Sequence, residues 1–421
     1  MQPLRNGIIA GLDIGSSQVS CFIARFDPGR AGHDPQPRIL GVGHHESRGV
    51  KSGAIVNMAD AERSIRAAVD MAERMARETV RKVIVNLSCG QPASHLAGTE
   101  ITIPTPEVRD QDVKKVLRQS QMRVHDVEGE LIHAIPVGYS LDGHKGIADP
   151  RGMFGDRLGV CLHFVTASAG PIRNLALCVE RCHLEIAALV ATPYASGLAC
   201  LVEDETEHGV TCIDMGGGLT SIAVFVGGNM AHLDVLAVGG SHVTNDIALG
   251  LSTSHATAER IKALYGSATV SASDERDLID VPRLGEEHFE TANHVPRSIL
   301  NGIIQPRIEE ILELARDRLA ASGLLEIAGR RIVLTGGGSQ LAGVRDLAAE
   351  ILQGQIRLGR PIRLRGLPDA SQGPEYSTVA GLIGFAMNGP VEAGDVMGAA
   401  AGAMPPAGRV ARIGQWLREN F

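Results

Sequence analysis

Short apolar runs broken by glycine turns open both halves of the chain. GIIAGLDIG (7–15) and SSQVSCFIARF (16–26) predict a strand, a tight turn and a second strand in which apolar and polar positions roughly alternate. Half a chain later, GVTCIDMGGGLTSIAVFV (209–226) repeats the same plan. Two copies of one hairpin at this separation indicate an internal duplication.

Apolar positions with helical spacing follow each hairpin. The stretch from about Asp60 to Arg77 predicts a helix that buries Ile65 and Ala68, and KVIVNLS (82–88) predicts a buried strand. A long helix is predicted over about 306–322, starting at Pro306 because proline suits the first helical turn. Further helices are predicted near 170–182, 256–265 and 376–387, and 330–352 predicts a strand, a glycine turn and a helix.

The pattern changes between about Gln91 and Ala167. This region carries short strands separated by Pro and Gly turns, and its one helical stretch is near Asp110–Met122. The predicted strands are EITIP, ELIHAIP, VGYSLD and VCLHFVTAS. Such a region predicts a small α+β insertion into the first half.

The end of the chain combines a linker with an amphipathic helix. Residues 388–408 are rich in Gly, Ala and Pro and predict a flexible linker. In 409–421 five apolar side chains fall within roughly 140° of a helical wheel: Val410, Ile413, Trp416, Leu417 and Phe421. Arginines lie near the borders of this face or beyond: Arg409, Arg412 and Arg418. This arrangement predicts binding to an anionic membrane surface, and the alternative is a helix that docks on its own domain.

Composition narrows the class of protein. The chain has 421 residues, of which 44% are hydrophobic, 3% aromatic and 21% charged, with 50 glycines. This favours an aliphatic α/β protein with two or more domains. The net charge of -8 argues against a nucleic-acid partner, and seven cysteines without paired spacing predict buried thiols in a reducing compartment. Because no apolar run is long enough to cross a bilayer, any membrane contact is predicted to be peripheral.

Three glycine turns that follow strands are candidate phosphate sites: LDIGSS (12–17), DMGGGLTS (214–221) and TGGGSQL (335–341). Glycine backbones let N–H groups approach phosphate oxygens, and serine or threonine hydroxyls can donate as well. The candidate donors in the two hairpin turns are Gly15, Ser16, Ser17, Gly216, Gly217, Gly218, Thr220 and Ser221. Each turn alone is better explained as a tight hairpin, and none is a P-loop.

Two carboxylates and a third turn complete the predicted site. Asp13 and Asp214 occupy equivalent places before the two hairpin turns, and paired carboxylates beside a polyphosphate suit magnesium held mostly through water. The third turn is predicted to open a helix capped by Ser339, with the backbone of Gly336, Gly337 and Gly338 approaching a nucleotide.

Duplicated phosphate hairpins followed by a later glycine turn resemble the superfamily of actin, hexokinase and the heat-shock chaperone ATPases, whose two halves clamp ATP between them. The resemblance implies an adenosine contact by Glu259 and Lys262 in AERIK, although a solvated helix face explains that motif equally well. Gly239 and Gly240 in VGGSHVTNDIA match the loop that borders the phosphates.

Longer motifs throughout the chain are similar to the bacterial cell-division family FtsA. They include ELIHAIPVGYSLDGHKGIADPRGMFGDRL (130–158), GGSHVTNDIA, IIQPRIEEI and VLTGGGSQLAG. The resemblance implies an actin-like ATPase fold in which an inserted subdomain 1C replaces the actin subdomain 1B. It also implies ATP-dependent filaments, a C-terminal membrane helix at the inner face of the inner membrane, binding of the FtsZ C-terminal peptide through subdomain 2B, and recruitment of later division proteins through 1C.

The same resemblance implies a division into subdomains. Subdomain 1A would comprise 7–86 and 167–200 with a return at 366–387, 1C would be 87–166, 2A would comprise 201–240 and 300–365, and 2B would be 241–299. The linker and the membrane helix follow at 388–408 and 409–421.

One departure separates this chain from the sugar kinases of the superfamily. LVATPYASGLACL (189–201) has no acidic residue where those enzymes carry a catalytic carboxylate, and the next acid is Glu203. At most a slow ATPase is therefore expected, without a residue that we can name as a base. The alternatives are an enzyme or chaperone on the same fold, or a relative from pilus assembly.

Overall fold

The computed structural model describes residues 7–26, 37–122, 129–282, 284, 293–324, 328, 330–362 and 364–388. The predicted linker and terminal helix lie outside these residues, apart from Asn388. The strands are β1 Ile8–Ile14, β2 Gln18–Phe26, β3 Pro37–Glu46, β4 Val50–Lys51, β5 Ala54–Ile55, β6 Lys82–Leu87, β7 Ala93–Thr102, β8 Glu130–Leu141, β9 His144–Ile147, β10 Arg157–Ala167, β11 Glu185–Ala191, β12 Val210–Met215, β13 Thr220–Val226, β14 Asn229–Leu236, β15 Leu278–Val281, β16 Asn293–Pro296, β17 Arg331–Thr335 and β18 Gln355–Leu358.

The α-helices alternate with these strands. They are α1 Met58–Ala76, α2 Asp110–Met122, α3 Ala169–Arg181, α4 Thr192–Cys200, α5 Glu203–His208, α6 Gly240–Gly250, α7 His255–Tyr265, α8 Arg297–Ala321, α9 Val344–Leu352 and α10 Ser377–Asn388. Most of the predicted helices are confirmed to within a few residues at their ends.

Two five-stranded sheets share one topology. The first runs in the order β11-β6-β1-β2-β3 and the second in the order β18-β17-β12-β13-β14. In each sheet an antiparallel hairpin, β1–β2 or β12–β13, pairs on its other side with a parallel strand, β6 or β17. The duplication predicted from the sequence is confirmed. We call the first sheet with α1, α3, α4 and α10 the first lobe, and the second sheet with α6 to α9 the second lobe.

Helices α4 and α10 join the two lobes. They pack against each other, α10 covers β1 and β6, and α4 also contacts β12 and β13 of the second lobe. One apolar core accordingly continues from Leu12 of the first sheet, through Tyr194 of α4, to Phe225 of the second sheet. The close contact needs a glycine, because a Cβ at Gly381 would lie 1.7 Å from the carbonyl oxygen of Ala195.

The predicted insertion is a separate four-stranded sheet. Its order is β7-β10-β8-β9, and α2 packs on it around an apolar core of its own that includes Leu117, Leu162 and Phe164. The sequence predicted two strands, ELIHAIP and VGYSLD, whereas the structure has one continuous strand, β8. The pairing register with β10 shifts between Cys161 and Leu162, and this irregularity accommodates Pro136 opposite Leu162.

The insertion also contacts the second lobe through a buried histidine. His163 of β10 donates from Nδ1 to the Met230 carbonyl at 3.0 Å, so its Nε2 must accept from Ser94 Oγ at 2.5 Å. Ser94 Oγ in turn accepts from the Leu233 N–H at 3.2 Å. Burial lowers the pKa of His163 to about 3, which keeps the ring neutral. The edge strand β14 is thereby covered by the insertion.

The start of the long helix was predicted incorrectly. Helix α8 begins at Arg297, and Pro306 lies inside it instead of in its first turn. An internal proline costs about 3 kcal/mol because one backbone hydrogen bond is lost. Leu300 and Ile304, on the turns before Pro306, are fully buried in the second core. Their burial outweighs that cost, and it cannot be read from local sequence preferences.

Candidate functional site

A cleft of about 640 Å³ lies between the lobes and is lined by all three glycine turns. This volume is in the range of small-molecule and cofactor sites. The predicted residues that line it are Asp13, Gly15, Ser16, Ser17, Asp214, Gly216, Gly217, Gly218, Ser221, Gly240, Glu259, Lys262, Gly336, Gly337 and Gly338. Thr220, Gly239 and Ser339 are not among the lining residues.

The two hairpin turns are built alike. The Gly15 N–H donates to the Gln18 carbonyl at 3.0 Å, and the Gly216 N–H donates to the Leu219 carbonyl at 2.9 Å. Asp13 pairs across its hairpin with Ser20, just as Asp214 pairs with Ser221. The duplication therefore extends to the positions of the side chains in the cleft.

The turns face each other so closely that glycine is required. A Cβ at Gly217 would lie 1.7 Å from Ser17 Oγ, and a Cβ at Gly218 would lie 2.5 Å from Ser16 Oγ. The first turn thus presents serine hydroxyls to the bare backbone of the second turn. A short stretch of N–H and O–H groups without intervening side chains is suited to a polyphosphate.

Thr220 and Gly239 support the second turn from behind. The Thr220 hydroxyl is buried and donates to the Val238 carbonyl at 2.9 Å. A Cβ at Gly239 would lie 2.5 Å from the Gly216 carbonyl oxygen, and the N–H groups of Gly240 and Ser241 donate to the carbonyls of Gly216 and Gly217. Thr220 and Gly239 therefore hold the shape of the turn without lining the cleft themselves.

The two carboxylates differ in their surroundings. Asp214 Oδ2 accepts from Ser196 Oγ at 2.5 Å and from Thr378 Oγ1 at 3.2 Å, and both hydroxyls belong to the first lobe. Burial raises the pKa of Asp214, and these two hydrogen bonds offset only part of that rise. Within the described part of the chain, Asp13 has no such hydrogen bond. Burial and the neighbouring Asp214 raise the pKa of Asp13 to about 8.

This environment predicts that ionisation of Asp13 lowers the stability of the folded chain. Since the folded carboxyl holds a proton that the unfolded chain releases, stability should fall as pH rises from about 4 to about 8 and then level off. Asp13→Asn removes this penalty. Without added ligand, the variant should melt a few degrees above the unchanged protein, with an advantage that grows between about pH 5 and about pH 8.

Thermal unfolding across that pH range measures the effect. Asp70→Asn, at an exposed position on α1, controls for the loss of one negative charge. An Asp13→Asn variant that melts at a lower temperature than the unchanged protein at about pH 8 would contradict the raised pKa of the Asp13 carboxyl in the folded chain.

The far end of the cleft is formed by α6, α7 and α8. Lys262 Nζ bonds Glu259 Oε2 at 2.7 Å, Thr244 Oγ1 at 2.8 Å and the Gly240 carbonyl at 3.2 Å. Only 16% of the Lys262 side chain is exposed, so this lysine is not on a solvated helix face. Val243, Leu264, Ile308 and Leu341 add apolar lining, and such a mixture suits a flat heterocycle with polar edges.

The third turn differs from its prediction. Residues Gly337–Gln340 form one turn of 3-10 helix, and α9 begins only at Val344 with Gly343 at its N-cap. The prediction that Ser339 caps this helix is therefore wrong. Its buried hydroxyl donates to the Gly336 carbonyl at 2.7 Å and closes the turn itself.

Several lining residues were missed by the sequence analysis. Asn86, Ser88 and Thr192 line the cleft beside the first turn, together with Gly53 from the β4–β5 hairpin. The signal was an asparagine inside KVIVNLS, a strand that otherwise has the composition of a buried one. Buried asparagine in such a strand requires hydrogen-bond partners, and so indicates a polar site nearby.

A cation in this cleft would rest on two carboxylates. No group of three or more His, Cys, Asp or Glu side chains that could hold a metal is found among the described residues. Asp13 and Asp214 fit magnesium, which usually keeps several waters and uses one or two protein carboxylates together with phosphate oxygens. In the same described ranges, no helix is long and apolar enough to span a membrane.

Comparisons with known proteins agree with this architecture. The family described as Cell division protein FtsA matches residues 211–381, and the one described as SHS2 domain inserted in FTSA matches residues 90–166. The Cell division protein FtsA of Agrobacterium fabrum is 45% identical over 426 residues, covering 99% of this chain and 96% of that protein.

Solved structures extend the comparison to the fold. The PilM-PilN type IV pilus biogenesis complex superposes with a TM-score of 0.60 at 17% identity, covering 89% of this chain and 97% of that chain. MreB5 of Spiroplasma citri bound to ADP superposes with a TM-score of 0.53 at 13% identity, covering 90% and 95%. These likenesses show that the fold is that of the actin-like ATPases, as predicted.

Proposed function

Because this chain belongs to the FtsA family of actin-like cell division proteins, we propose that it binds ATP with magnesium, polymerises, and tethers the FtsZ ring to the cytoplasmic face of the bacterial inner membrane at the division site. The observation that carries the nucleotide part is the opposed pair of hairpin turns. Gly217 and Gly218 of the second turn lie where a Cβ would collide with Ser17 and Ser16 of the first turn. A site that merely needed tight hairpins would not require this mutual approach.

The nucleotide would lie along the cleft with its phosphates between the turns. Gly15, Ser16 and Ser17 would donate from the first lobe, and Gly216, Gly217 and Gly218 from the second. The adenosine would lie between Lys262 with Glu259 on one side and the backbone of Gly336–Gly338 on the other. Asp13 would face the hydrated magnesium most directly, because Asp214 is already bonded to two hydroxyls.

Nucleotide hydrolysis would be slow. From Leu189 to Val202 the chain has no acidic residue, and α4 instead begins with Thr192 at the cleft. General base catalysis typically contributes a factor of about 100 to 10,000, so a site without it loses most of that acceleration. Such a slowly hydrolysing site suits a scaffold protein with long-lived filaments better than it suits a small-molecule kinase.

The membrane contact would come from residues 409–421. Burying the five apolar side chains contributes about 7 kcal/mol, and the three arginines add about 1 kcal/mol each near anionic lipid. Ordering the segment as a helix costs roughly 1 kcal/mol for each of about 12 residues. These terms nearly cancel, so one copy binds weakly. A filament that presents many copies would bind firmly through effective concentration.

Flotation with vesicles of phosphatidylglycerol and phosphatidylethanolamine tests this proposal. The full chain with ATP and magnesium should float, and the same concentration without ATP should float at least about tenfold less. A chain truncated after Gly408 should stay in solution in both cases while it still binds ATP. Equal flotation of the truncated and full chains, or of samples with and without ATP, would contradict the tether.

Partner surfaces are proposed from the family and from exposed apolar side chains. Leu249, Leu278 and Leu284 in the region 241–299 are 80%, 62% and 72% exposed, which favours an apolar docking site such as one for the FtsZ C-terminal peptide. In the insertion, Phe154 is 75% exposed and Met122 67% exposed. These two residues favour a second surface there, suited to later division proteins.

The subdomain ranges are proposed with the function. Subdomain 1A would take 7–86, 167–200 and 366–387, 2A would take 201–240 and 300–365, and 1C and 2B would take 87–166 and 241–299. The four-stranded insertion sheet, residues 93–167, supports the range proposed for subdomain 1C.

A further inference from the structure

A polar cluster of Asn86, Ser88 and Thr192 lies at the cleft beside the first glycine turn. The side-chain nitrogen of Asn86 bonds Ser88 Oγ at 3.3 Å and Thr192 Oγ1 at 3.1 Å. The two hydroxyls bond each other at 2.7 Å. Asn86 is 2% exposed, whereas Ser88 and Thr192 are only partly buried, so the hydroxyls form the accessible side of the cluster.

Hydrogen bonding fixes how the cluster is oriented. Asn86 Oδ1 accepts from the Ile14 N–H at 2.7 Å, which places the oxygen toward the first turn and turns both amide hydrogens toward the hydroxyls. One hydroxyl donates to the other. The hydrogen of the accepting hydroxyl therefore has no partner within the described residues. This hydrogen and a remaining lone pair are available to hydrogen-bond a molecule in the cleft.

The position of the cluster is set by the same elements that form the phosphate turns. Ile14 directly precedes Gly15, and Ser88 adjoins Gly53, whose N–H donates to Ser16 Oγ at 3.1 Å. Thr192 is the first residue of α4, whose positive end is oriented toward the cleft. The free hydroxyl hydrogen and lone pair are thus presented next to the serines of the first turn.

We propose that Thr192 and Ser88 orient the water that attacks the terminal phosphate of the bound nucleotide, and that Asn86 is the positioning residue that holds them. This inference rests on the proposed ATP binding. The water oxygen forms the new bond to phosphorus and the bond to the bridging oxygen breaks. The proton of the water passes to a phosphate oxygen, because no neutral hydroxyl or amide of the cluster can retain it.

Thr192→Val tests the inference because it removes the hydroxyl at nearly constant size. Binding is measured with ADP, magnesium and aluminium fluoride, which together imitate a planar phosphoryl group with its attacking water, and separately with the non-hydrolysable analogue AMPPNP. The variant should bind the aluminium fluoride complex about threefold to tenfold more weakly and hydrolyse ATP more slowly by a similar factor. AMPPNP affinity should change less than about twofold.

Thr192→Ser keeps the hydroxyl and should behave like the unchanged protein in all three measurements. If the valine variant keeps its affinity for the aluminium fluoride complex, the inference is overturned while ATP binding stands. If the serine variant loses as much as the valine variant, the loss is due to packing and the inference is overturned as well. If the unchanged protein binds neither AMPPNP nor ADP, the proposed ATP binding itself fails, and with it the inference.

Discussion

Gly381→Ala should destabilise the protein by at least about 3 kcal/mol, because the new Cβ would occupy the space of the Ala195 carbonyl. At this point α4 and α10 cross within the interface of the two lobes. The helices must move apart to admit a methyl group. Their separation would also pull Ser196 and Thr378 away from Asp214, so the cleft should lose its shape together with the core.

Gly384→Ala on the same helix is the matched control. A Cβ there would lie 4.0 Å from Leu198, an ordinary contact distance. Alanine is a better helix former than glycine by up to about 1 kcal/mol, so this variant should be neutral or slightly more stable. Thermal and denaturant unfolding of both variants measure the difference. Shifts of equal size and sign would show that the contact between the helices is looser than described here.

Ser196→Ala should cost about 1.5 to 3 kcal/mol, since it removes a hydrogen bond to a buried carboxylate. Ser196 is fully buried on α4, and Asp214 belongs to the other lobe. The variant therefore loses a bond between lobes and leaves the carboxylate with fewer donors. The deficit should shrink as pH falls through the folded-state pKa of Asp214, which burial raises above its ordinary value of about 4, because the protonated carboxyl depends less on the Ser196 donor.

Ser120→Ala provides the comparison for a buried serine whose hydroxyl makes no hydrogen bond in the described structure. Ser120 is fully buried on α2, and its hydroxyl has no hydrogen-bond partner in the described structure. Removing an unsatisfied buried hydroxyl should leave the melting temperature unchanged or raise it. If Ser196→Ala and Ser120→Ala have the same melting temperature, the hydrogen bond from Ser196 to Asp214 contributes nothing to stability.

The sequence predicted those parts of the site that are encoded in short continuous stretches of chain. The two hairpins, Asp13 and Asp214 at equivalent places, and the insertion all follow from residue patterns within short windows. A strand, a glycine turn and a second strand carry their own signature. The AERIK motif is a partial case. The sequence placed Lys262 on a helix, but only the structure shows that this lysine faces the cleft instead of solvent.

Features that depend on distant partners could not be predicted. The hydroxyls that hold Asp214 come from Ser196 and Thr378, and nothing near either residue signals a carboxylate. Helix α8 passes through Pro306 because of the core that it meets. Asn86 lies in KVIVNLS, which the sequence predicted only as a buried strand, and its partners Ile14 and Thr192 are distant along the chain.

The placement of α10 also determines the order in which a newly made molecule can mature. The insertion and the second lobe are each built from one continuous stretch of chain, whereas β1 must wait for α10 to cover it. Gly11 of β1 packs against Leu382, which the ribosome adds only after both other units are complete. The segment predicted to bind lipid, 409–421, comes later still, after the predicted linker 388–408. If that segment binds lipid as proposed, a nascent chain would gain its membrane tether only after the residues that close its first lobe have been made.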